Sequence, residues 1–331
     1  MEGSRMKDRM KEKLKLAQNP RTPPEFLERL AEDENRQVRR EVAWNKSTPA
    51  PTLEKLARDK DWVVRQTVAW NKKTPVEVLE ELAGDEKREV REAVARNTSV
   101  SVKTLERLAG DKDYWVRWRV AQNTNTPGFI LERLAEDEEQ EVRKAVAWNP
   151  STPTPVLQRL VGDPRVRREV AQNPSAPTTA LEKLAEDKDR WVRREVASNP
   201  SAPRSILEQL ARDKDREVRQ GVAWNRKIPA AALERLAEDK SREVREAVAR
   251  NPNTPVHILV RMYRDQDIKV RGVVVRRLLG QLEELPEDPA LWLVMWEAAD
   301  REGRRKIEEH PYGQVVAVLA RLSCPSAIRK Q

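Results

Sequence analysis

An Asn recurs along this chain at positions 19, 45, 71, 97, 123, 149, 173, 199, 225 and 251. Every interval is 26 residues except the one from Asn149 to Asn173, which is 24. A fixed period of this length means tandem supersecondary repeats, each unable to bury its own apolar face and stable only against its neighbours. The 331 residues would otherwise suggest two or three ordinary domains. Composition agrees with the repeats: 36% of residues are charged and 5% aromatic, with 2 Phe and 3 Tyr, too few large aromatics for one big core.

The repeat reads N-P-x-T-P-x-x-x-L-E-x-L-A-x-D-x-x-x-x-V-R-x-x-V-A-x. Leu27, Leu30 and Ala31 form an i, i+3, i+4 stripe, repeated as Leu53, Leu56 and Ala57, which predicts a short first helix. Thr22, Thr48, Thr74 and Thr126 are read as its N-caps, with the following Pro at N1. An Asp at 33, 59, 85, 111 and onward to 265 is expected to cap a second helix, which turns Val38, Val42 and Ala43 inward. That helix ends at Asn45, a residue type that tolerates the left-handed conformation after a helix. The 24-residue repeat has three steps from Asp163 to Val166 where others have five, so its deletion is placed in the loop between helices. The expected class is all-α: a right-handed α-solenoid of two-helix repeats with a period of 26 residues.

Residues 1–19 read as a leading half-repeat, since Leu16, Ala17, Gln18 and Asn19 match the end of a second helix. Residues 20–277 hold ten tandem repeats, the last ending on Arg277 instead of Asn. Residues 278–331 leave the pattern, and the segment around Leu291, Trp292, Leu293, Met295 and Trp296 is expected to cap the last repeat. Cys324 is the single cysteine, which excludes a disulfide framework and a four-cysteine metal site. The charged start, Met1 to Lys15, has no apolar core of a signal peptide, and no run approaches a membrane span. A monomeric, cytoplasmic protein without metal or cofactor is expected.

The string L-E-x-L-A-x-D-x-x-x-x-V-R-x-x-V-A-x-N-P-x-T-P resembles the leucine-rich repeat variant family and shares the D…VR pairing of HEAT-like repeats. The likeness covers about residues 14–277. It implies a right-handed superhelix in which one helix of each pair is 3₁₀ in character. Some members carry an amino-terminal iron–sulfur cluster on cysteines. This chain has no cysteine there, so that feature is not carried over.

Variation between repeats gathers on one stripe of the second helix, at positions equivalent to 37, 40, 41 and 44. Seven of the ten Trp residues lie on it: 44, 70, 115, 118, 148, 191 and 224. Its last position reads Gln18, Trp44, Trp70, Arg96, Gln122, Trp148, Gln172, Ser198, Trp224, Arg250 and Arg276. With Arg40, Gln66, Trp118, Arg119, Lys144, Arg168, Arg194 and Gln220 these are the candidate binding residues. Arg and Gln read base edges and Trp offers a stacking face. The bland alternative is that each Trp packs on the adjacent repeat. The stripe carries 12 Lys or Arg against 9 Glu, a net +3, within a chain of net +9.

A second basic series, Arg39, Arg65, Arg91, Arg117, Arg143, Arg167, Arg193, Arg219, Arg245 and Arg271, could track a phosphate backbone. An Asp six residues earlier (four for Arg167) makes an Asp–Arg pair inside each repeat the preferred reading. No phosphate loop, metal-spaced cluster or Ser-His-Asp set is present, so no catalytic residue is assigned. The leading expectation is a non-catalytic, modular nucleic-acid binder, DNA ahead of RNA. A protein-binding scaffold is the alternative, and a helical-repeat DNA glycosylase the minor one.

Overall fold

The computed structural model describes residues 2–323, so Cys324 lies outside the described residues. Among those residues there are twenty-four α-helices, one 3₁₀ turn at Leu282–Glu284 and no strand. The chain forms two compact units, Met1–Ser175 and Ala176–Gln331. In the first, a helix at Glu2–Gln18 precedes six helix pairs, from Pro24–Leu30 with Arg36–Trp44 to Thr154–Leu160 with Arg167–Gln172. In the second, four pairs run from Thr178–Ala185 with Arg190–Ser198 to Val256–Met262 with Ile268–Leu278. Three helices follow there, Pro289–Ala298, Arg301–Glu309 and Pro311–Ser323. Within each unit second helices pack side by side on second helices, giving the stacked two-helix repeats of an α-solenoid.

Most first helices have only seven residues and second helices nine, shorter than an isolated helix needs in water. Burial between repeats supplies the stability. Leu27, Val38, Val42 and Ala43 are fully buried, and so are Leu53, Val64, Val68 and Ala69 one repeat on. Neither helix of a pair is 3₁₀ along its length, contrary to what the family resemblance implied. Tighter turns occur at the helix ends, as where the Asp59 N–H reaches the Leu56 carbonyl and the Asn45 N–H reaches the Val42 carbonyl.

The polar residues between helices do different jobs from those expected of them. Thr48 does not cap the first helix: Pro49 is the N-cap at φ −65°, and Thr48 Oγ1 donates back to the Val42 carbonyl at 2.6 Å. Thr22, Thr74 and Thr126 do the same to Leu16, Val68 and Val120, satisfying carbonyls that a helix end leaves unpaired. Asp59 does not cap the second helix directly. Its Oδ1 accepts from the Asp61 N–H, and Asp61 then caps through Val63. Asn35, Asp113, Asp189, Asp215 and Asp267 cap in the same way. The 24-residue repeat loses more than loop: its second helix starts only at Arg167, so the deletion also removes the first turn.

The periodic Asn is not left-handed. Asn45 sits at φ −66° and ψ 128°, and no described residue has positive φ. Its side chain reaches into the preceding repeat, where Nδ2 donates to the Ala17 carbonyl at 2.7 Å and the Asn19 carbonyl at 2.9 Å. Oδ1 accepts from the Ser47 N–H and fixes the loop. Asn71, Asn97, Asn123, Asn149 and Asn173 repeat this in the first unit, and Asn225 and Asn251 in the second. Arg277 stands in for the missing Asn: its guanidinium donates to the Asn251 carbonyl at 2.6 Å.

The Arg series is also a link between repeats, which corrects the expected pair inside each one. Arg39 holds Asp59, twenty residues on, through Nε at 2.5 Å and Nη2 at 3.0 Å. It reaches back only to the main-chain carbonyls of Asp33 and Glu34. Arg65, Arg91, Arg117 and Arg143 hold Asp85, Asp111, Asp137 and Asp163 likewise. In the second unit Arg193, Arg219 and Arg245 hold Asp213, Asp239 and Asp265. The leading half-repeat uses Lys13 on Asp33. The Arg residues held in this way are committed to carboxylates and are not free for a phosphate chain. Arg271, at the end of the series, reaches only the Asp265 main-chain carbonyl among the described residues.

Candidate binding face

The second helix presents its variable stripe because the Val and Ala positions consume the opposite side. The indoles that end second helices are solvent-facing: Trp44 is 59% exposed, Trp70 41%, Trp148 56% and Trp224 49%. None of the four is buried between repeats. Neighbouring indoles do touch, since Trp44 and Trp70 meet edge to face at 6.4 Å while both remain open to water. Trp115 and Trp118 form a second edge-to-face pair at 5.5 Å, beside Tyr114 at 4.8 Å from Trp115.

Around Trp118 the stripe is partly desolvated. Arg119 lies 4.4 Å over the Trp118 ring and donates to Gln122 Oε1 at 3.1 Å. Burial lowers its pKa despite Glu92, and burial raises Glu92 above the usual carboxylate range despite Arg88 and Arg119. Much of the remaining charge is neutralised on the same face. Arg40 pairs with Glu41 at 2.6 Å, Lys144 with Glu141 at 3.1 Å, Arg194 with Glu195 at 3.6 Å and Arg250 with Glu246 at 2.7 Å. Arg96 and Arg276 make no ion pair among the described residues. Gln18, Arg168 and Ser198 are exposed, and Gln66, Gln172 and Gln220 half-buried. Gln66 Nε2 reaches the Glu89 carbonyl of the next repeat at 3.3 Å. The candidates thus include exposed indoles, Arg96 and Arg276 without an ion pair, half-buried Gln, and Arg or Lys already paired.

One group of residues escaped the search along helix faces. The loops that follow the second helices, from Asn19–Pro23 to Asn251–Pro255, contain no Asp or Glu in any of the ten repeats. They carry Arg21, Lys46, Lys72, Lys73, Arg226 and Lys227, all exposed. Aligning the loops of all the repeats would have found them.

Among the described residues no group of three or more His, Cys, Asp or Glu is placed to hold a metal ion. His257 is exposed beside Glu234, and His310 lies against Trp292 at 4.7 Å. No described helix is long and apolar enough to cross a membrane.

Helix pairs of fixed period, tied by a side-chain amide ladder and an Arg–Asp ladder, define a helical-repeat solenoid protein. The leucine rich repeat variant family model matches residues 164–189, 190–215 and 242–267. A solved structure described as a leucine-rich repeat variant with a novel repetitive structural motif is 30% identical, over 71% of this chain and 84% of that one, with a TM-score of 0.44. The crystal structure of an engineered protein is 19% identical over 93% of this chain and 99% of that one, with a TM-score of 0.33. Curated proteins give no significant match. On the sequence matches the chain belongs to the leucine-rich repeat variant family.

Proposed function

We propose that this chain is a non-catalytic, modular binding protein whose second-helix stripe takes single-stranded nucleic acid. The observation that carries the reading is the exposure of the indoles that end second helices, beside a loop edge without a carboxylate. Bare indole faces stack on any base, and a cationic edge follows the backbone. Arg96 and Arg276, exposed and without an ion pair among the described residues, add fork-shaped donors that match a base edge. The strand is single because packed helices stand about 8–10 Å apart, whereas duplex base pairs rise about 3.4 Å. A duplex would present most bases out of register with the repeats, and a splayed strand need not.

A polypeptide partner is the second reading. It is favoured by the Arg–Glu pairs that leave the stripe near neutral, and by Trp and Arg as interface anchors. The test is fluorescence anisotropy of a labelled single-stranded DNA oligonucleotide against the Trp44→Ala/Trp70→Ala variant. Each lost stack is expected to cost about 1–3 kcal/mol of affinity. Thermal stability should stay close to that of the parent, since both indoles are exposed. Unchanged oligonucleotide affinity would remove the indoles from the interface.

A further inference from the structure

The two loop edges of the repeats differ in charge. Loops between the helices of a pair carry the Arg-bound Asp residues together with Glu34, Glu86 and Glu138. Loops after the second helices carry none. In the unit Met1–Ser175 their cations are concentrated in three successive loops, as Arg21, Lys46, Lys72 and Lys73. None of the four takes part in an ion pair among the described residues. Many of the exposed Lys and Arg elsewhere do, as Lys55 does with Glu32 and Arg58 with Glu81.

The loops that carry these cations have a fixed backbone. Asn45 Oδ1 accepts from the Ser47 N–H at 2.8 Å, and Ser47 Oγ donates to the Pro20 carbonyl at 2.6 Å. Asn71 Oδ1 accepts from the Lys73 N–H at 2.9 Å, and Ser99 Oγ donates to the Lys72 carbonyl at 3.3 Å. Each cation therefore rises from a backbone anchored to an adjacent loop. Lys46 follows Trp44 by two residues, and Lys72 and Lys73 follow Trp70 by two and three. Arg226 and Lys227 follow Trp224 in the second unit in the same way, whereas Trp148 is followed by Pro150 and Ser151. Complementing the helix dipole does not explain this distribution, because every second helix has the same negative end and only some loops carry cations.

We propose that Arg21, Lys46, Lys72 and Lys73 hold the phosphodiester backbone of a strand whose bases stack on Trp44 and Trp70. This deepens the nucleic-acid reading and rests on it. It assigns backbone and bases to different residues, so the two contributions separate experimentally. Phosphate contacts set the salt dependence of binding, and stacking does not.

The experiment titrates a labelled single-stranded oligothymidylate with the full chain over a salt series. The parent is compared with Lys46→Ala/Lys72→Ala/Lys73→Ala, and with Lys60→Ala/Lys87→Ala/Lys112→Ala, which removes equal charge from the loops between the paired helices of the same unit. The first triple variant is expected to flatten the slope of log affinity on log salt by about 2, at about 0.7 per phosphate contact on a single strand. The second is expected to leave the slope unchanged. Both sets are exposed, and thermal melts confirm that each variant is folded. An unchanged slope in the first variant, or equal flattening in both, overturns the assignment of the track while leaving nucleic-acid binding intact. No binding of oligothymidylate by the parent overturns both. Binding of poly-glutamate in its place would identify an acidic polypeptide as the partner, and would overturn both as well.

Discussion

Replacing Asn149 with Asp is expected to destabilise the first unit more than replacing it with Ala. Asn149 is fully buried. Its Nδ2 donates to the Ala121 carbonyl at 2.7 Å and the Asn123 carbonyl at 3.0 Å, and Oδ1 accepts from the Ser151 N–H at 2.8 Å. Ala deletes both donors and the acceptor. The Asn123 carbonyl keeps one partner in the Thr126 N–H, so the Ala121 carbonyl and the Ser151 N–H lose most. Unsatisfied buried groups of this kind cost about 1–3 kcal/mol each, which places Asn149→Ala at about 3 kcal/mol. Asp keeps the acceptor but sets a second carboxylate oxygen against two carbonyl oxygens. A buried charge facing only acceptors costs more than an absent group, so the loss should exceed about 4 kcal/mol or force protonation. Urea unfolding of the two variants checks the order. Equal or greater stability of the Asp variant would mean that the amide ladder does not hold the repeats together.

Cutting one Arg–Asp link should be nearly as damaging. The Arg91 and Asp111 side chains are 7% and 8% exposed and joined by two hydrogen bonds, at 2.6 and 2.9 Å. Asp111→Ala leaves the guanidinium buried without its carboxylate, a change expected to cost about 3–5 kcal/mol. Arg91→Met/Asp111→Leu removes both charges, and should recover most of that loss. The same link sets the response to acid. Burial raises Asp85, Asp111 and Asp265. Hydrogen bonds from Arg65, Arg91 and Arg245 and from the Lys87, Asp113 and Asp267 N–H groups, together with the nearby positive charges, outweigh it and hold the three below the usual carboxylate range. A pKa lower in the folded than in the unfolded chain gives stability that is complete above the unfolded value. It is lost as pH falls through the folded one. Melting temperatures should therefore drop below about pH 4, near the unfolded Asp value. The doubly substituted chain should show a shallower drop.

The repeat, its helix pairs and its buried apolar positions were legible because burial follows helical period. The partners of the polar residues were not, for a reason specific to repeats. In a chain of period 26 an Asp six residues before an Arg and one twenty residues after it occupy the same register. Nearly every repeat therefore supports both pairings, and the nearer one looks preferable. The ends of the array break the degeneracy. Lys13 has Lys7 six residues before it yet reaches Asp33, and Arg271 has Leu291 twenty residues after it. Asn followed the same logic, since its place at a helix end suggested a local turn while its amide crosses to the preceding repeat. Helix spacing made the exposed indoles legible but not the position equivalent to 41, where Thr67, Ala93, Ala145 and Ala247 are buried. The charge of the stripe was not legible either, because only side-chain geometry joins Arg40 to Glu41 or Arg250 to Glu246.

Binding of a labelled single-stranded DNA oligonucleotide to the intact chain, followed by anisotropy, tests the central claim most directly. Salt is raised from about 50 to 200 mM during the series, a range over which phosphate contacts lose affinity steeply. The expected result is saturable binding at low salt that weakens progressively as salt rises. No binding at about 50 mM, or an affinity indifferent to salt, would contradict the account.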